Sequence, residues 1–316
     1  MSSKKKYRQL CKQEKSIPIF SQDWWLDTVC GENNWDVALV ENNGEIKACL
    51  PYHFKSKFGF NMFLQPILTQ QLIIWLDYPA EKLSHQKTSI FHKSINELIT
   101  NLPKFKYFSL CFNYEFINWM PFYWNGFKQT TRYTYVIENT KNLELIYNNF
   151  SKSLKQDLRK AENLAEVYKG LDLETFYKLN CFSFSKQKLK NPISYELLKK
   201  IDNQCLKRNC REIIYTKDKQ GKVHSAMYIV WDNEYVYCLL GGTDPKYRKS
   251  RSKNLINLEA IKIAHEKKLK FNFEGSMLEN VEYFYRQYNC ELIPYFQIEK
   301  VNSPLLKTYF FLKDLF

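Results

Sequence analysis

The stretch from Arg211 to Leu240 leaves this chain little choice of local fold. Three short runs rich in β-branched and aromatic residues, Arg211–Lys217, Lys222–Trp231 and Glu234–Leu240, are separated by Lys219-Gln220-Gly221 and Asp232-Asn233. Such turn residues reverse the chain within a few positions, so the runs are expected to pair as antiparallel neighbours. The next segment, Asn254 to about Lys268, carries Ile256, Ala260, Ile263 and Ala264 at helical spacing. An amphipathic helix with that buried face is predicted, then a strand over Phe271–Glu274, a helix over Val281–Gln287 and a closing strand over Cys290–Glu299. Upstream, Leu143–Leu164, Asp172–Phe184 and Ser194–Lys207 read as helices.

The first half shows the same alternation of strands, hairpin and helix. Trp35–Val40, Glu45–Phe54, Phe60–Gln65 and Leu72–Asp77 read as strands, and Asn42-Asn43-Gly44 as a hairpin turn, because Asn and Gly accept positive φ. A helix over Ser84–Asn101 is closed by Pro103, and Lys106–Phe112 and Phe127–Ile137 are further strands. A chain of 316 residues exceeds what one core usually organises. Two domains are expected, 1–138 and 139–316, with disorder confined to about the first dozen residues.

Charge narrows the partners. Lys and Arg number 47 against 33 Asp and Glu, a net +14. Such a surface attracts polyanions: nucleic acid, phosphate-bearing cofactors or acidic lipid. Nine scattered cysteines without a C-x-x-C pair fit reduced cytosolic thiols rather than a disulfide frame or zinc site. The five histidines show no metal-ligand spacing and no triad companion, so no metal is expected. The basic Met1–Lys15 segment lacks a following apolar run, and no run is long enough to span a bilayer. A cytoplasmic protein without stable membrane insertion is the expectation.

Two clusters point to anion chemistry. Gly241-Gly242-Thr243-Asp244-Pro245 leads into Lys246, Arg248, Lys249, Arg251 and Lys253, just ahead of the Asn254 helix. Cations at a helix amino end oppose its macrodipole at up to ~0.3–1 kcal/mol each, a cost that a bound anion removes. Free backbone N–H groups there would add hydrogen bonds to phosphate or pyrophosphate. A solvated basic loop is the alternative. Lys152, Lys155 and Arg159 share one helical face that suits a phosphate-bearing acceptor, an RNA backbone or plain solvent, and Ser153 with Gln156 form a candidate capping box. Trp24, Trp25, Trp35 and Trp75 read as core filling, or as a stacking wall for a substrate.

The order of these motifs resembles a known family. The strand with Gly-Gly-Thr-Asp, the basic loop, the helix, Phe271-Asn272-Phe273-Glu274-Gly275-Ser276, the Tyr283-Phe284-Tyr285-Arg286 helix and the closing strand follow one another as in the FemAB-like branch of the GNAT superfamily. The Arg159-Lys160-Ala161 helix is similar too. That branch includes peptidoglycan-bridge aminoacyltransferases and other N-acyltransferases. The resemblance implies an α/β (α+β) protein of two GNAT-like halves, each a mixed, mostly antiparallel sheet flanked by helices. It further implies a donor site in the second half and an acceptor cleft between the halves. The implied donor is acyl-CoA or aminoacyl-tRNA, and the acceptor an amine on a small molecule or cell-wall precursor. The usual glycines of the pyrophosphate loop are missing after Arg248. Bulky cations there crowd the close backbone approach that glycine allows, and grip phosphates by charge instead.

Acyl transfer to an amine needs a proton acceptor and help for the leaving group. Glu274, near the end of a central strand, is the first candidate base and Asp244 the second. Tyr285, with Tyr247 and Tyr283 as similar groups, is the candidate proton donor. The sequence thus reads as an N-acyltransferase; the alternative is a non-catalytic RNA- or anion-binding protein on a degenerate GNAT scaffold.

Overall fold

The computed structural model describes residues 1–57, 59–78, 83–185, 190–275 and 277–314, so Ser276 of the glycine turn lies outside the described residues. Two compact units emerge: Met1–Arg132 with Pro294–Phe316, and Tyr133–Ile293. Residues from Pro294 onward group with the first unit.

In the first unit the strands run in the order Trp35–Asn42, Glu45–Lys57, Phe60–Leu64, Tyr107–Cys111, and then the 297–301 end of Glu291–Val301. Pairing is antiparallel except for Phe60–Leu64 beside Tyr107–Cys111. The Asn43-Gly44 turn has φ of +50° and +82°, the left-handed geometry expected of a tight hairpin. Trp25 and Trp35 are completely buried, so they fill the core and are not available as a stacking wall. Leu72–Asp77 pairs as a strand only at Trp75–Leu76, beside Ala48 and Cys49, while Leu72 makes an isolated bridge to Phe112.

Instead of disorder, the amino end forms a helix, Ser3–Gln13, capped by the Ser2 side chain. Its Tyr7 is buried and donates its hydroxyl to Ser21 O at 2.6 Å. Arg8 forms a two-pronged pair with Asp27 at 2.6 and 2.8 Å. The run of lysines at positions 4–6 masks two apolar positions one turn apart, Tyr7 and Cys11, which dock the helix.

The second unit orders its strands as the 133–137 end of Lys128–Ile137, then Lys270–Asn272, Tyr235–Thr243, Val223–Trp231, Arg211–Lys217 and Glu166–Lys169. The expected meander over 211–243 is antiparallel throughout. Helix Lys253–Lys267 covers it, with Ile256, Ala260, Ile263 and Ala264 all buried. The segment read as one helix, Leu143–Leu164, is two: Leu143–Asn148 and Lys152–Glu162. Ser151 is extended (ψ 152°) and accepts from Leu154 N at 3.1 Å, so it is the cap that separates them. The Ser153/Gln156 box does not form; Ser153 Oγ donates to Gln287 Oε1 at 3.0 Å instead.

Tyr235–Thr243 and Lys270–Asn272 pair in parallel over three residues only, Tyr235 to Tyr237. Beyond that point a register shift between Cys238 and Leu240 bends the first strand along its other neighbour. The second chain segment stays with the 133–137 strand, Phe273 N donating to Tyr135 O at 2.9 Å. The two strands therefore part.

Candidate functional site

A cleft of about 750 Å³ opens beside the parted strand. Gly241, Gly242 and Thr243 supply its floor, Arg248, Arg251 and Lys253 its basic edge, and Asn280, Tyr283 and Gln287 the opposite wall. Of the five loop cations, these three line the cleft; Lys246 and Lys249 are exposed outside the lining. Asp244 caps the short Pro245–Ser250 helix, accepting from Lys246 N at 2.9 Å. Arg251 has φ +58°, a conformation that costs a non-glycine residue about 1 kcal/mol. A hydroxyl network holds the loop down: Ser225 Oγ to Thr243 Oγ1 at 3.0 Å, Ser225 to Ser252 at 3.3 Å and Ser250 to Ser252 at 3.1 Å. The free amides expected at this helix start are largely taken. Ser252 N bonds Ser250 Oγ, Asn254 N bonds Arg251 O and Leu255 N bonds Ser252 O. The attraction for an anion therefore rests chiefly on side-chain charge.

Glu274, Tyr285 and Asp244 do not line the cleft; the charges of Glu274 and of the cleft residue Lys253 both act on the Cys238 thiol, which in turn acts on Tyr285. Burial raises the Cys238 thiol, the Lys253 charge lowers it and the Glu274 charge raises it. Burial, reinforced by the Asp232 charge, pushes the Glu274 carboxyl up to about 8. Burial raises the Tyr285 hydroxyl as well, with Cys238 and Glu274 adding to it. Lys253 is open to solvent, yet protein crowds its ammonium above the Phe284 ring, 4.7 Å from the centroid. That loss of hydration lowers its pKa, against the opposing influence of Cys238.

Glu274 is fixed by its backbone. Its φ is +53° and its N–H bonds Asn272 Oδ1 at 2.8 Å, while Thr134 Oγ1 donates to the same oxygen at 2.7 Å. Gly275 N bonds Thr134 Oγ1 at 3.1 Å, and a Cβ on Gly275 would sit 2.4 Å from Tyr133 O. No side chain fits there, so the glycine lets the turn press against the neighbouring strand and aim Glu274.

The basic face of helix Lys152–Glu162 points elsewhere. Lys152 and Arg159 are exposed, and Lys155 Nζ donates to Asn148 O at 2.7 Å, closing the preceding short helix. None of the three lines the cleft; Ser153 and Asp157 of the same helix do. Asp157 lies 3.7 Å from Arg251.

Residues 148–276 match the family model described as an acetyltransferase (GNAT) domain. That match lies within the second unit and spans about two-fifths of the chain. Among solved structures the chain is similar to FemX, at 14% identity and TM-score 0.68, over 98% of each chain. It is similar also to L-PGS from Bacillus licheniformis, at 11% identity and TM-score 0.57, over 99% of this chain and 97% of that one. The carboxyl-terminal domain of a putative lysylphosphatidylglycerol synthetase from Agrobacterium fabrum gives 10% and 0.53, over 96% of this chain and 92% of the other. No curated protein matches. At these identities the likeness establishes the fold, which is the FemAB-like GNAT fold.

The second unit also places residues in the cleft that the motifs did not single out. Asn254 is buried at the cleft edge, and Tyr288 OH joins it to Asn257: Tyr288 OH donates to Asn254 Oδ1 at 3.1 Å and accepts from Asn257 Nδ2 at 2.8 Å. This relay holds the Asn254 side chain by its amide oxygen. Two asparagines three apart on the otherwise apolar buried face of this helix were the available signal. Gly242 is equally telling, because a Cβ there would lie 2.3 Å from the Leu179 carbonyl. Helix Leu173–Ser185 thus sits directly on the cleft strand. Among the described residues, no group of three His, Cys, Asp or Glu could hold a metal ion, and no helix is long and apolar enough to cross a membrane.

Proposed function

We propose that this chain is an N-acyltransferase that moves an acyl or aminoacyl group from a phosphate-bearing carrier to an amine. The observation that supports this most is a cation-lined cleft at the parting of two strands; a desolvated carboxyl, Glu274, follows one of those strands, outside the cleft lining. In this reading Arg248, Arg251 and Lys253 hold the carrier's phosphates, and Lys246 and Lys249 add long-range attraction. The carboxylate of Glu274 takes a proton from the acceptor ammonium, directly or through one water. The neutral amine attacks the donor carbonyl, the carrier's thiolate or alkoxide leaves with a proton from Tyr285, and the proton shed by the attacking nitrogen as the amide forms restores the tyrosine hydroxyl. Asp244 is assigned to loop shape, since its carboxylate is engaged by Lys246 N. Lys152 and Arg159 are assigned to a phosphate on the acceptor or on an RNA carrier. The acceptor is an amine on a small molecule or cell-wall precursor, and the nine free cysteines suit work in the cytoplasm.

Bonded loop amides and cations in place of glycines favour aminoacyl-tRNA over acyl-CoA as the carrier. The same observation supports a second reading, a polyanion-binding protein without turnover. Thermal stability measured with acetyl-CoA, longer acyl-CoAs and bulk tRNA separates these, because a ligand well above its dissociation constant stabilises by several kcal/mol, of order ~3 at a hundredfold excess. A shift with tRNA that salt abolishes, followed by transfer from charged tRNA to an amine, is the expected result. A shift with CoA esters alone would reassign the donor. Salt-sensitive tRNA binding without any transfer would leave the binding protein as the correct reading.

A further inference from the structure

Among the described residues that line the cleft, Asp157 is the one carboxylate. Its helix, Lys152–Glu162, brings it to the basic edge from outside the loop. That helix is seated by Leu154, Leu158 and Ala161, which share a buried cluster with Ile256, Ala260 and Ile263 of helix Lys253–Lys267. Asp157 Oδ2 lies 3.7 Å from Arg251 Nε, and the two side chains are 29% and 61% exposed. The loop's other cations differ: among the described residues, Lys246, Arg248, Lys249 and Lys253 have no carboxylate within 4.0 Å. Arg251 alone of the five therefore comes with its own counterion.

The spacing decides what that counterion does. At 3.7 Å the charges attract, yet the separation exceeds that of a hydrogen bond. Among the described residues neither side chain makes a hydrogen bond elsewhere. An ion pair this open to water is held weakly. A phosphate presents Arg251 with a better partner, since its oxygens match the guanidinium fork two at a time. Phosphate and carboxylate also repel each other, so they compete for Arg251 and do not share it. Arg251 itself stays in place, because the left-handed turn at φ +58° fixes its backbone between the Pro245–Ser250 and Lys253–Lys267 helices.

We propose that Asp157 is a built-in competitor for the carrier's phosphate: its carboxylate neutralises Arg251 until a phosphate displaces it, and thereby sets how tightly the basic loop holds a polyanion. The inference rests on the proposed phosphate-holding role of that loop and adds what restrains it. Arg248 and Lys253 attract any polyanion that the net +14 draws in, whereas Arg251 responds only to a group that takes the place of Asp157. The same exchange in reverse assists departure of the carrier after transfer.

The test is an anisotropy titration of fluorescently labelled bulk tRNA between about 50 and 200 mM salt, with the wild type, Asp157→Asn, Arg251→Ala and the double variant. Asn keeps the size of Asp, and Asp157→Ser serves as a second removal of the charge. Both should bind tRNA about two- to fivefold more tightly than the wild type at the lowest salt. Their slope of log affinity against log salt should steepen by up to about 0.7–0.9, the share of one further phosphate contact. Competition also predicts non-additivity: Arg251→Ala should weaken binding at least about twofold more in the Asp157→Asn background than in the wild type. Binding that both Asp157 variants leave unchanged or weaken overturns the proposal, the weaker outcome assigning Asp157 to orienting Arg251. Strictly additive effects in the double variant would reduce Asp157 to simple repulsion and overturn it equally. If instead the wild type binds no tRNA even at low salt, the phosphate-holding reading of the loop falls, and this inference falls with it.

Discussion

Replacing Glu274 with Gln tests whether the carboxyl is as desolvated as its surroundings require, without knowledge of any substrate. A pKa moved from 4.5 to about 8 means that the folded state holds the proton more tightly than the unfolded chain does. The sign follows: full stability is present below about pH 4.5, and it declines as pH rises until ionisation in the folded state is complete above 8. At ~1.4 kcal/mol per tenfold change, the ionised group is opposed by up to roughly 5 kcal/mol. Side-chain movement and entering water relieve part of this for a group that is not sealed off, leaving about 2–3 kcal/mol. Glutamine mimics the protonated acid and has no such dependence. Near pH 4 the two proteins should melt together, and near pH 9 the Gln variant should melt about 5–10 °C higher, at ~2–4 °C per kcal/mol for a domain of this size. Melting curves by circular dichroism across that range provide the assay. A difference that does not vary with pH, or a wild type that is the more stable protein at pH 9, would refute the reasoning. In a transfer assay the same variant should lose about 10²–10⁴ in rate, and wild-type activity should rise as pH approaches 8.

Three further outcomes are expected. Gly242→Ala should cost at least ~2 kcal/mol in denaturant unfolding, because its Cβ meets backbone at 2.3 Å, whereas Gly241→Ala, with its nearest neighbour at 3.6 Å, should cost under about 1 kcal/mol beyond backbone effects. Tyr288→Phe leaves the Asn254 and Asn257 amides without their shared partner and should destabilise by ~1–3 kcal/mol in urea titrations. Removing two cleft cations together, Arg248→Ala with Lys253→Ala, should reduce the slope of log affinity for tRNA against log salt by about 1.5–2. An unchanged slope would take those side chains out of the phosphate contacts.

The parts of this fold that were legible in sequence are those fixed by local chemistry. The helix over Ser84–Asn101 and the Asn43-Gly44 turn are set by spacing and by allowed φ, and both stand where the residues placed them. The buried face of helix Lys253–Lys267 was readable for the same reason. What escaped depended on distant partners. The amino-terminal helix is held by Ser21 and Asp27, which no local pattern of lysines announces. The break at Ser151 depends on a capping geometry that competes with a strong helical periodicity across Tyr147, Phe150 and Leu154. In the candidate site, Glu274 and Lys253 are more than twenty positions apart and meet Cys238 through the sheet order. The alternation of Lys, Arg and Ser in the loop marked a basic region, but which of its cations enter the cleft depends on the short Pro245–Ser250 helix and the left-handed turn at Arg251 that ends it.

The short parallel ladder between Tyr235–Tyr237 and Lys270–Asn272 has one more consequence. Past it, Cys238–Thr243 keeps its antiparallel neighbour on one edge, while among the described residues no strand lies beside the other edge. A backbone edge left open inside a sheet is a template for anything that can imitate a strand. Gly241 O in this stretch is already taken by Asn180 Nδ2 at 3.0 Å and Ser183 Oγ at 3.2 Å, so a ligand with amide groups along an extended arm would pair with the backbone groups that remain. Its arrival would be recorded in the slowed deuterium uptake of those few residues, a footprint readable before any product is identified.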